Sequence, residues 1–471
     1  MTGAAGTAAP AAPRVGGDGV TERYLRECAD ARSPLRGAFD ELVLPPTYVD
    51  TFGDLLLSRP LFAEHSAMSA FADDLGALFD LLTSLPERCF NGDLDRYCVA
   101  LGIDERQSEL MRSGATGRPE RYSRADAYHD GTRFRLLEFN VGSELGGIDA
   151  AQMNRAFMDV PAFADFARRE RLAYVDTAAV LADELRRAAR RVGASGDPVV
   201  ALIEAPGALE EHAPVFAAIE EAMRRYGISL LLGEIQQLST RRGKLVLDGA
   251  ELDVLLRYYT AEQLLDYPDA AEAVRMVARA HRDGATALFT SLECGLVESK
   301  ANLALLHDPR HRASFTSAEL ALVDRIVPWT RAVGIGAATP GDRAALVAHC
   351  RERRDSLILK RGVGCGGAGA LLGRELTDRA WSEALEAIAG QDYIAQEVVV
   401  PAPEPVLDQA TGEIELWQAN WGIFATDDGY AGAFVRALRE RDGAIITYGN
   451  RGTRGTCVFT HPETGDDGGP A

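Results

Sequence analysis

Two short stretches of the chain carry residue types suited to metal and phosphate chemistry. The first, RADAYHDGTRFRLLEFN, places Arg124 and Asp126 on one strand-like run and Glu138 and Asn140 on the next. Two carboxylates and a neutral amide are hard oxygen donors, a set that suits one or two Mg2+ ions, with Mn2+ as a substitute, shared with phosphate oxygens. The second, residues 357 to 373, reads LILKRGVGCGGAGALLG: a lysine, then glycines at Gly362, Gly364, Gly366, Gly367 and Gly369. Such glycines leave backbone N–H groups bare for an anion, and Lys360 adds charge beside them.

Gly362, Gly364 and Gly367 spell a literal G-x-G-x-x-G, but a dinucleotide fold needs a helix after the glycines. Here a short apolar ALLG follows, and a phosphate-binding P-loop would need its lysine after the last glycine. What remains is a strand, loop, strand hairpin able to fold over phosphates, with an ordinary surface loop as the alternative. Of fifty Lys and Arg residues only three are lysines, Lys244, Lys300 and Lys360. In a chain that otherwise uses arginine, a lysine marks a place for a compact charge on a thin stem, such as a phosphate contact. Lys244, in the hairpin-like TRRGKLVLDG, reads instead as a surface residue.

The carboxylates make one site only if the two strands present them on the same face. Glu138 and Asn140 are two apart, as are Arg124 and Asp126, so each pair shares a side. A two-residue turn at Asp130-Gly131 puts the pairs on opposite faces; a three-residue turn, or a bulge, unites them. United, Asp126 and Glu138 are expected as diagonal neighbours at about 7–8 Å. Ordinary charges on a half-wet strand pair are the alternative.

The elements that must position these residues follow from periodicity. Residues 21 to about 114 read as helices, and 151 to 195 return to helix. Between about 196 and 340, strands such as PVVALIEAP, ISLLLGE, KLVLDG and ELDVLLRYY alternate with helices, which predicts an open, mostly parallel α/β domain. From 341, a helix, the glycine hairpin, a second helix and the strands DYIAQEVVV, LWQANWGIFAT and YAGAFVRAL follow. The ends, 1–20 and 461–471, read as tails without signal-peptide character.

With 471 residues, 46% hydrophobic and 25% charged, the chain can bury two or three cores. A net charge of −20 argues against nucleic acid or an anionic membrane as partner. No apolar run approaches the roughly 20 residues of a membrane span. Seven scattered cysteines without a C-x-x-C pair read as free thiols of a reducing cytoplasm. Small molecules are the expected partners, and a monomer or homodimer the expected state.

Together the segments resemble an ATP-grasp enzyme. R-x-D followed by E-x-N is similar to the magnesium segment of carboxylate-amine ligases, LILKRGVGCGGAGALLG to the lysine strand and glycine loop, and DYIAQEVVVP to the adenine hinge. The metal segment comes first here, an order similar to the circularly permuted ATP-grasp group that includes glutathionylspermidine synthase-like ligases. ELDVLLRYY, ESKANLALLHD and AFVRALRERDGAIITYGN extend the resemblance over most of 120–455.

The resemblance implies an α/β and α+β protein with a permuted ATP-grasp core, a central Rossmann-like (pre-ATP-grasp) domain and a helical N-terminal region. The implied units are the tail 1–20, helices plus metal hairpin 21–155, a helical connection 156–195, the central domain 196–340, the lysine, loop, hinge and late strands 341–460, and the tail 461–471. It implies an ADP-forming ligase that joins a carboxylate to an amine through an acyl phosphate, acting on amino acid or peptide-like substrates. The arginine-rich, lysine-poor usage suits a natural-product setting.

In that scheme Lys300 and Lys360 hold the α and β phosphates of ATP, and the Gly362–Gly369 loop closes over β and γ. Asp126, Glu138 and Asn140 hold Mg2+, while Arg124 stabilises charge on the reacting acyl group. Gln396, Glu397, Val398 and Val399 form the hinge, with structural bonds expected for the Glu397 side chain. Arg436 binds substrate carboxylate or γ-phosphate, or makes a salt bridge. Arg257 and Asn450 read more simply as a solvated strand residue or turn former than as substrate contacts. A phosphotransferase acting on a non-carboxylate, a non-catalytic nucleotide-binding protein and a nicotinamide oxidoreductase are the competing readings.

Overall fold

The computed structural model describes residues 19–53, 55–335, 340–364 and 369–463. Three sheets do most of the positioning. In the largest, of seven strands, Leu61–Glu64, Arg454–His461, Gly429–Arg439, Ile414–Thr426, Ser123–His129 and Phe134–Val141 lie side by side, and Glu404–Leu407 also pairs with Ile414–Thr426. Its members come from both ends of the sequence. The alternation in these strands buries one face: Ala125, Ala127, Phe139, Trp421, Ile423, Val435 and Ala437 enter a core shared with the long helix His65–Phe90. Arg124, Asp126, Glu138, Asn420 and Arg436 therefore fall on the opposite face, where the site is built.

The second sheet is parallel, in the order Ala287–Phe289, Val254–Arg257, Val200–Glu204, Leu230–Glu234. Its strand VALIE is buried throughout, as a strand covered on both faces must be. Val200, Leu202, Val254 and Leu256 pack with the helices Thr177–Arg191 and Ala213–Arg224. Ala201, Ile203 and Leu255 pack with the helix Ala270–Arg282 on the other side. KLVLDG does not join this sheet: Lys244–Leu247 forms a separate antiparallel one with Ser239–Arg241 and Ala250–Glu251.

The third sheet is antiparallel, in the order Thr330–Ala332, Tyr393–Glu397, Leu357–Arg361, Leu371–Leu372. Leu357, Leu359, Trp381 and Leu385 close its core against the helix Asp378–Ala387. The strand after the glycines is only two residues long. The glycine run thus lies between strands and not at a helix start, which removes the dinucleotide fingerprint.

Three expectations change. Gly19 and Val20 belong to the first helix, Gly19–Ala29, because Val20 is buried beside Tyr24 and Cys28 and not in a tail. Leu61–Glu64 interrupts the helical region with a strand parallel to Arg454–His461. That last strand runs through His461, which is buried, so residue 461 belongs to the sheet and not to a tail. Among the described residues no disulfide forms and no helix is long and apolar enough to cross a membrane. Cys365 lies outside the described residues.

Candidate nucleotide and metal site

The carboxylate hairpin solves its parity problem with a bulge. Residues 130–133 make a four-residue turn, and His129 pairs with Phe134. That register alone would set Asp126 and Glu138 on opposite faces. Leu137 is the extra residue of a bulge between the Ala127/Leu136 and Asp126/Glu138 pairs, and it restores the register. Asp126 then lies directly opposite Glu138, not diagonal to it, and Arg124 directly opposite Asn140.

Around this pair the carboxylates are balanced by internal cations. Asp126 Oδ1 accepts from Arg124 Nε at 2.9 Å, and Oδ2 accepts from Arg436 on the Gly429–Arg439 strand. Burial pushes the Asp126 carboxyl up, but the Arg124 and Arg436 charges outweigh it and hold it at about 2. Both guanidinium groups lie over the Phe434 ring, at 5.6 and 5.8 Å from its centroid. Room for that stack depends on Gly422, opposite Asp126, where a Cβ would sit 2.8 Å from Phe434 and 3.2 Å from Arg124.

Glu138 pairs with Lys300, whose Nζ lies 2.6 Å from its Oε1 and donates to the Gly364 carbonyl at 2.7 Å. Lys300 precedes the helix Ala301–Leu306, and its N–H donates to the Gly362 carbonyl at 2.9 Å. The glycine segment is thereby tied to the lysine before it closes on anything. Lys360 reaches the same cleft from the strand Leu357–Arg361 and donates to Gln396 Oε1 at 2.7 Å. Burial lowers the Lys360 ammonium to about 8, with Glu138 pulling it up and Lys300 pushing it down.

One open cleft, about 1140 Å³ counting the part open to solvent, is lined by Asp126, Glu138, Lys300, Lys360, Gly364, Arg436 and residues 396–401. Apolar walls come from Ile358, Leu372, Ile445 and Ile446. Gln396 is buried in a strand and positions Lys360, donating in turn to Thr330 Oγ1 at 3.2 Å. The Glu397 side chain bonds Arg353 at 2.8 Å, and the amides of Glu397 and Val398 donate to the Trp329 and Ser356 carbonyls. Val399 and Val400 follow at the rim. Gly369 has φ of 74°, and Gly366 and Gly367 lie outside the described residues.

Asn140 donates its side-chain N–H to the Arg124 carbonyl at 3.1 Å and lines a second cavity on the far side of Glu138. The amide oxygen left over in the cleft is that of Asn420, a residue only 6% exposed whose Oδ1 has no hydrogen-bond partner. Sequence reading missed it because Asn420 sits in an unremarkable stretch of LWQANWGIFAT. Its one available signal is the two-residue spacing from Gly422. Among the described residues no group of three His, Cys, Asp or Glu side chains converges as a metal cage. Two carboxylates and an orphaned amide oxygen fit instead the demands of Mg2+ arriving with phosphates, which needs only one or two protein carboxylates.

Arg257 and Asn450 are structural. Arg257 is not solvated as expected: it is 1% exposed, held in place because it grips both oxygens of Glu144 at 2.8 and 2.7 Å. Asn450 Oδ1 accepts from the Gly452 N–H in a turn. Lys244 pairs with Asp253 at 2.8 Å, away from the cleft.

No family model and no curated protein matches this chain. Its fold is nonetheless similar to that of a protein of known structure. The chain is similar to a glutathione synthetase-like effector from Globodera pallida in its apo form, with a TM-score of 0.57 over 94% of this chain and 96% of that one. At 12% identity the likeness concerns the fold alone. A gamma-glutamylcysteine synthetase candidate from Methylobacillus flagellatus aligns over 81% of this chain and 86% of its own, at 15% identity and a TM-score of 0.41.

Proposed function

We propose that this chain is an ATP-grasp ligase in permuted order, which activates a small carboxylate with ATP and joins it to an amine. The observation that carries the reading is the meeting of Lys300 and Lys360 with Asp126 and Glu138 in one cleft. Two of the three lysines of the chain, from separate segments, line the same cleft as the two carboxylates. An oxidoreductase has no use for that arrangement.

Asp126, Glu138 and Asn420, with Asn140 behind them, would hold Mg2+, which when bound neutralises phosphate charge and polarises the transferred phosphoryl group. Lys300 and Lys360 would exchange Glu138 and Gln396 for the α and β phosphates, and the Gly362–Gly369 segment would cover β and γ. Val399 and Val400, beyond the engaged amides of Glu397 and Val398, would offer backbone groups to the base between Ile358, Leu372 and Ile446. A substrate carboxylate oxygen attacks the γ-phosphorus and ADP leaves. The amine nitrogen then attacks the acyl carbon, and the bond to the phosphate oxygen breaks. Arg124 and Arg436, preorganised on Phe434, face the charge that develops.

The division into helices plus metal hairpin from Gly19 to 155, a helical connection 156–195, a central domain 196–340 and the lysine, loop, hinge and late strands from 341 through His461 belongs to this proposal. The experiment is a phosphate-release screen of amino acids and small peptides with Mg-ATP, followed by mass analysis. The expected result is ADP, phosphate and a product weighing the acid plus the amine less one water. A phosphorylated alcohol as sole product, or a melting temperature raised by NAD and not by Mg-ATP, would refute the reading.

The compact head of Lys360 gives a narrower expectation. Lys360→Arg should weaken Mg-AMP-PNP binding nearly as much as Lys360→Ala, about tenfold or more by calorimetry, because the buried slot beside Gln396 fits an ammonium and not a planar fork. Wild-type affinity in the arginine variant would remove the phosphate role of Lys360.

A further inference from the structure

The second cavity shares Glu138, Lys300 and Gly364 with the nucleotide cleft and runs to the carboxyl ends of the parallel strands Val200–Glu204 and Val254–Arg257. Ligands of open α/β sheets gather at such strand ends. Its charges are uneven. Five glutamates line it, Glu138, Glu144, Glu204, Glu262 and Glu298, against three fixed cations, Arg124, Arg257 and Lys300, and one histidine, His212, beside Glu204. Setting aside Glu138 and Lys300, which also line the nucleotide cleft, and Glu298, whose carboxyl burial keeps protonated near neutral pH, leaves Glu144, Glu204 and Glu262 against Arg124 and Arg257, an excess of one carboxylate.

Neither remaining cation answers the far wall. Arg257 gives its N–H groups to Glu144, Tyr259 and Thr290, and Arg124 is turned to Asp126 and the Gly146 carbonyl. Glu204, 4% exposed, accepts from the Ala205 N–H at 2.9 Å and forms no salt bridge among the described residues. Burial raises its pKa, and burial followed by the Glu144 charge pushes Glu298 up to about 8.

A separate observation points to the same place. Tyr258, which follows Arg257 and lines this cavity, is 8% exposed, and its Oη has no hydrogen-bond partner. A buried hydroxyl left unpaired costs about 1–3 kcal/mol. A buried glutamate that makes no salt bridge and an orphaned phenol oxygen both suit a positively charged N–H donor.

Resting on the ligase reading above, we infer that the second cavity is the subsite for an alkylammonium group of the substrate, received by Glu204 and Tyr258 away from the reacting carbon near Arg124. The ammonium donates to the Glu204 carboxylate and to Tyr258 Oη, and restores the charge balance of the wall. It belongs either to the acid that is activated or to the amine acceptor as a second amino group. In both cases it is a recognition group and takes no part in bond making.

The test is calorimetric binding to the full chain of two cationic probes, glycylglycine and 1,4-diaminobutane, and of their counterparts without an ammonium, N-acetylglycylglycine and 1,4-butanediol. At least one cationic probe should bind and its counterpart should not, and Tyr258→Phe and Glu204→Gln should each weaken binding at least tenfold. Glycylglycine alone assigns the ammonium to the acid, the diamine alone assigns it to the acceptor, and both binding supports a subsite open to either. Tyr258→Phe should melt no lower than wild type, since it removes an unpaired hydroxyl, so its loss of binding would not be a folding defect. The inference is overturned if no cationic probe binds, if the counterparts bind equally, or if both variants bind like wild type. Mg-AMP-PNP titrated into the same wild-type protein separates the two claims: probe binding without nucleotide binding removes the ligase reading and leaves the subsite, and the reverse removes the subsite alone.

Discussion

Glu138→Gln should fold like the wild type and bind Mg-AMP-PNP about a hundredfold or more weaker. Glu138 stands at the centre of the site: it faces Asp126 across the ladder, holds Lys300 at 2.6 Å, and lines both cavities. The amide keeps its size and removes its charge, so the metal loses one of two carboxylates and Lys300 loses its ion pair. Losing one member of a close charge pair at a binding site costs about 2–5 kcal/mol, which spans that hundredfold. The fold should tolerate the change, because the Glu138 side chain is 22% exposed and Lys300 keeps the Gly364 carbonyl. Calorimetry with a melting curve checks both halves, and wild-type affinity would remove Glu138 from the metal site.

Asp126→Asn should behave differently, losing stability as well as binding. It leaves Arg124 and Arg436 together over Phe434 with no carboxylate between them. Breaking a buried pair from one side costs about 3–5 kcal/mol, because the remaining charge is uncompensated. Urea unfolding measures the loss, and unchanged stability would show that the guanidinium pair finds another counter-charge. The same carboxylate sets an acid dependence. Its folded pKa, about 2, lies below the ordinary 3.8, so its stabilisation is fully present above 3.8 and fades as pH falls through about 2. The share at stake is about 2 kcal/mol. Wild type should therefore lose more stability than Asp126→Asn between those two pH values.

These contrasts show what residue types and spacing can carry. Arg124, Asp126, Glu138 and the two lysines were legible because each is chemically costly to keep inside a protein, and two-residue spacing fixes a shared face. The helix after residue 341, the parallel run from Val200 and the antiparallel hairpin were legible from apolar periodicity. The need for an odd turn or a bulge was legible from parity, but the place of the bulge at Leu137 was not, since a slip of one residue leaves no mark on composition and only pairing with Ser123–His129 fixes it. Asn420 and Tyr258 were hidden for a related reason. An orphaned oxygen is defined by what fails to surround it, and that is a property of the packed chain. The hold of the buried Gln396 side chain on Lys360 leaves no mark on the sequence either, because it depends on the register between Leu357–Arg361 and Tyr393–Glu397.

The central claim is that a carboxylate oxygen attacks the γ-phosphate of ATP in this cleft. It is tested most directly by carrying the acid and amine found in the screen forward with both carboxylate oxygens labelled with ¹⁸O and analysing the released phosphate by mass. The account predicts ADP together with phosphate carrying one ¹⁸O atom, because the oxygen that bridges acyl carbon and phosphorus leaves with the phosphate. Unlabelled phosphate, or AMP and pyrophosphate in place of ADP, would contradict it.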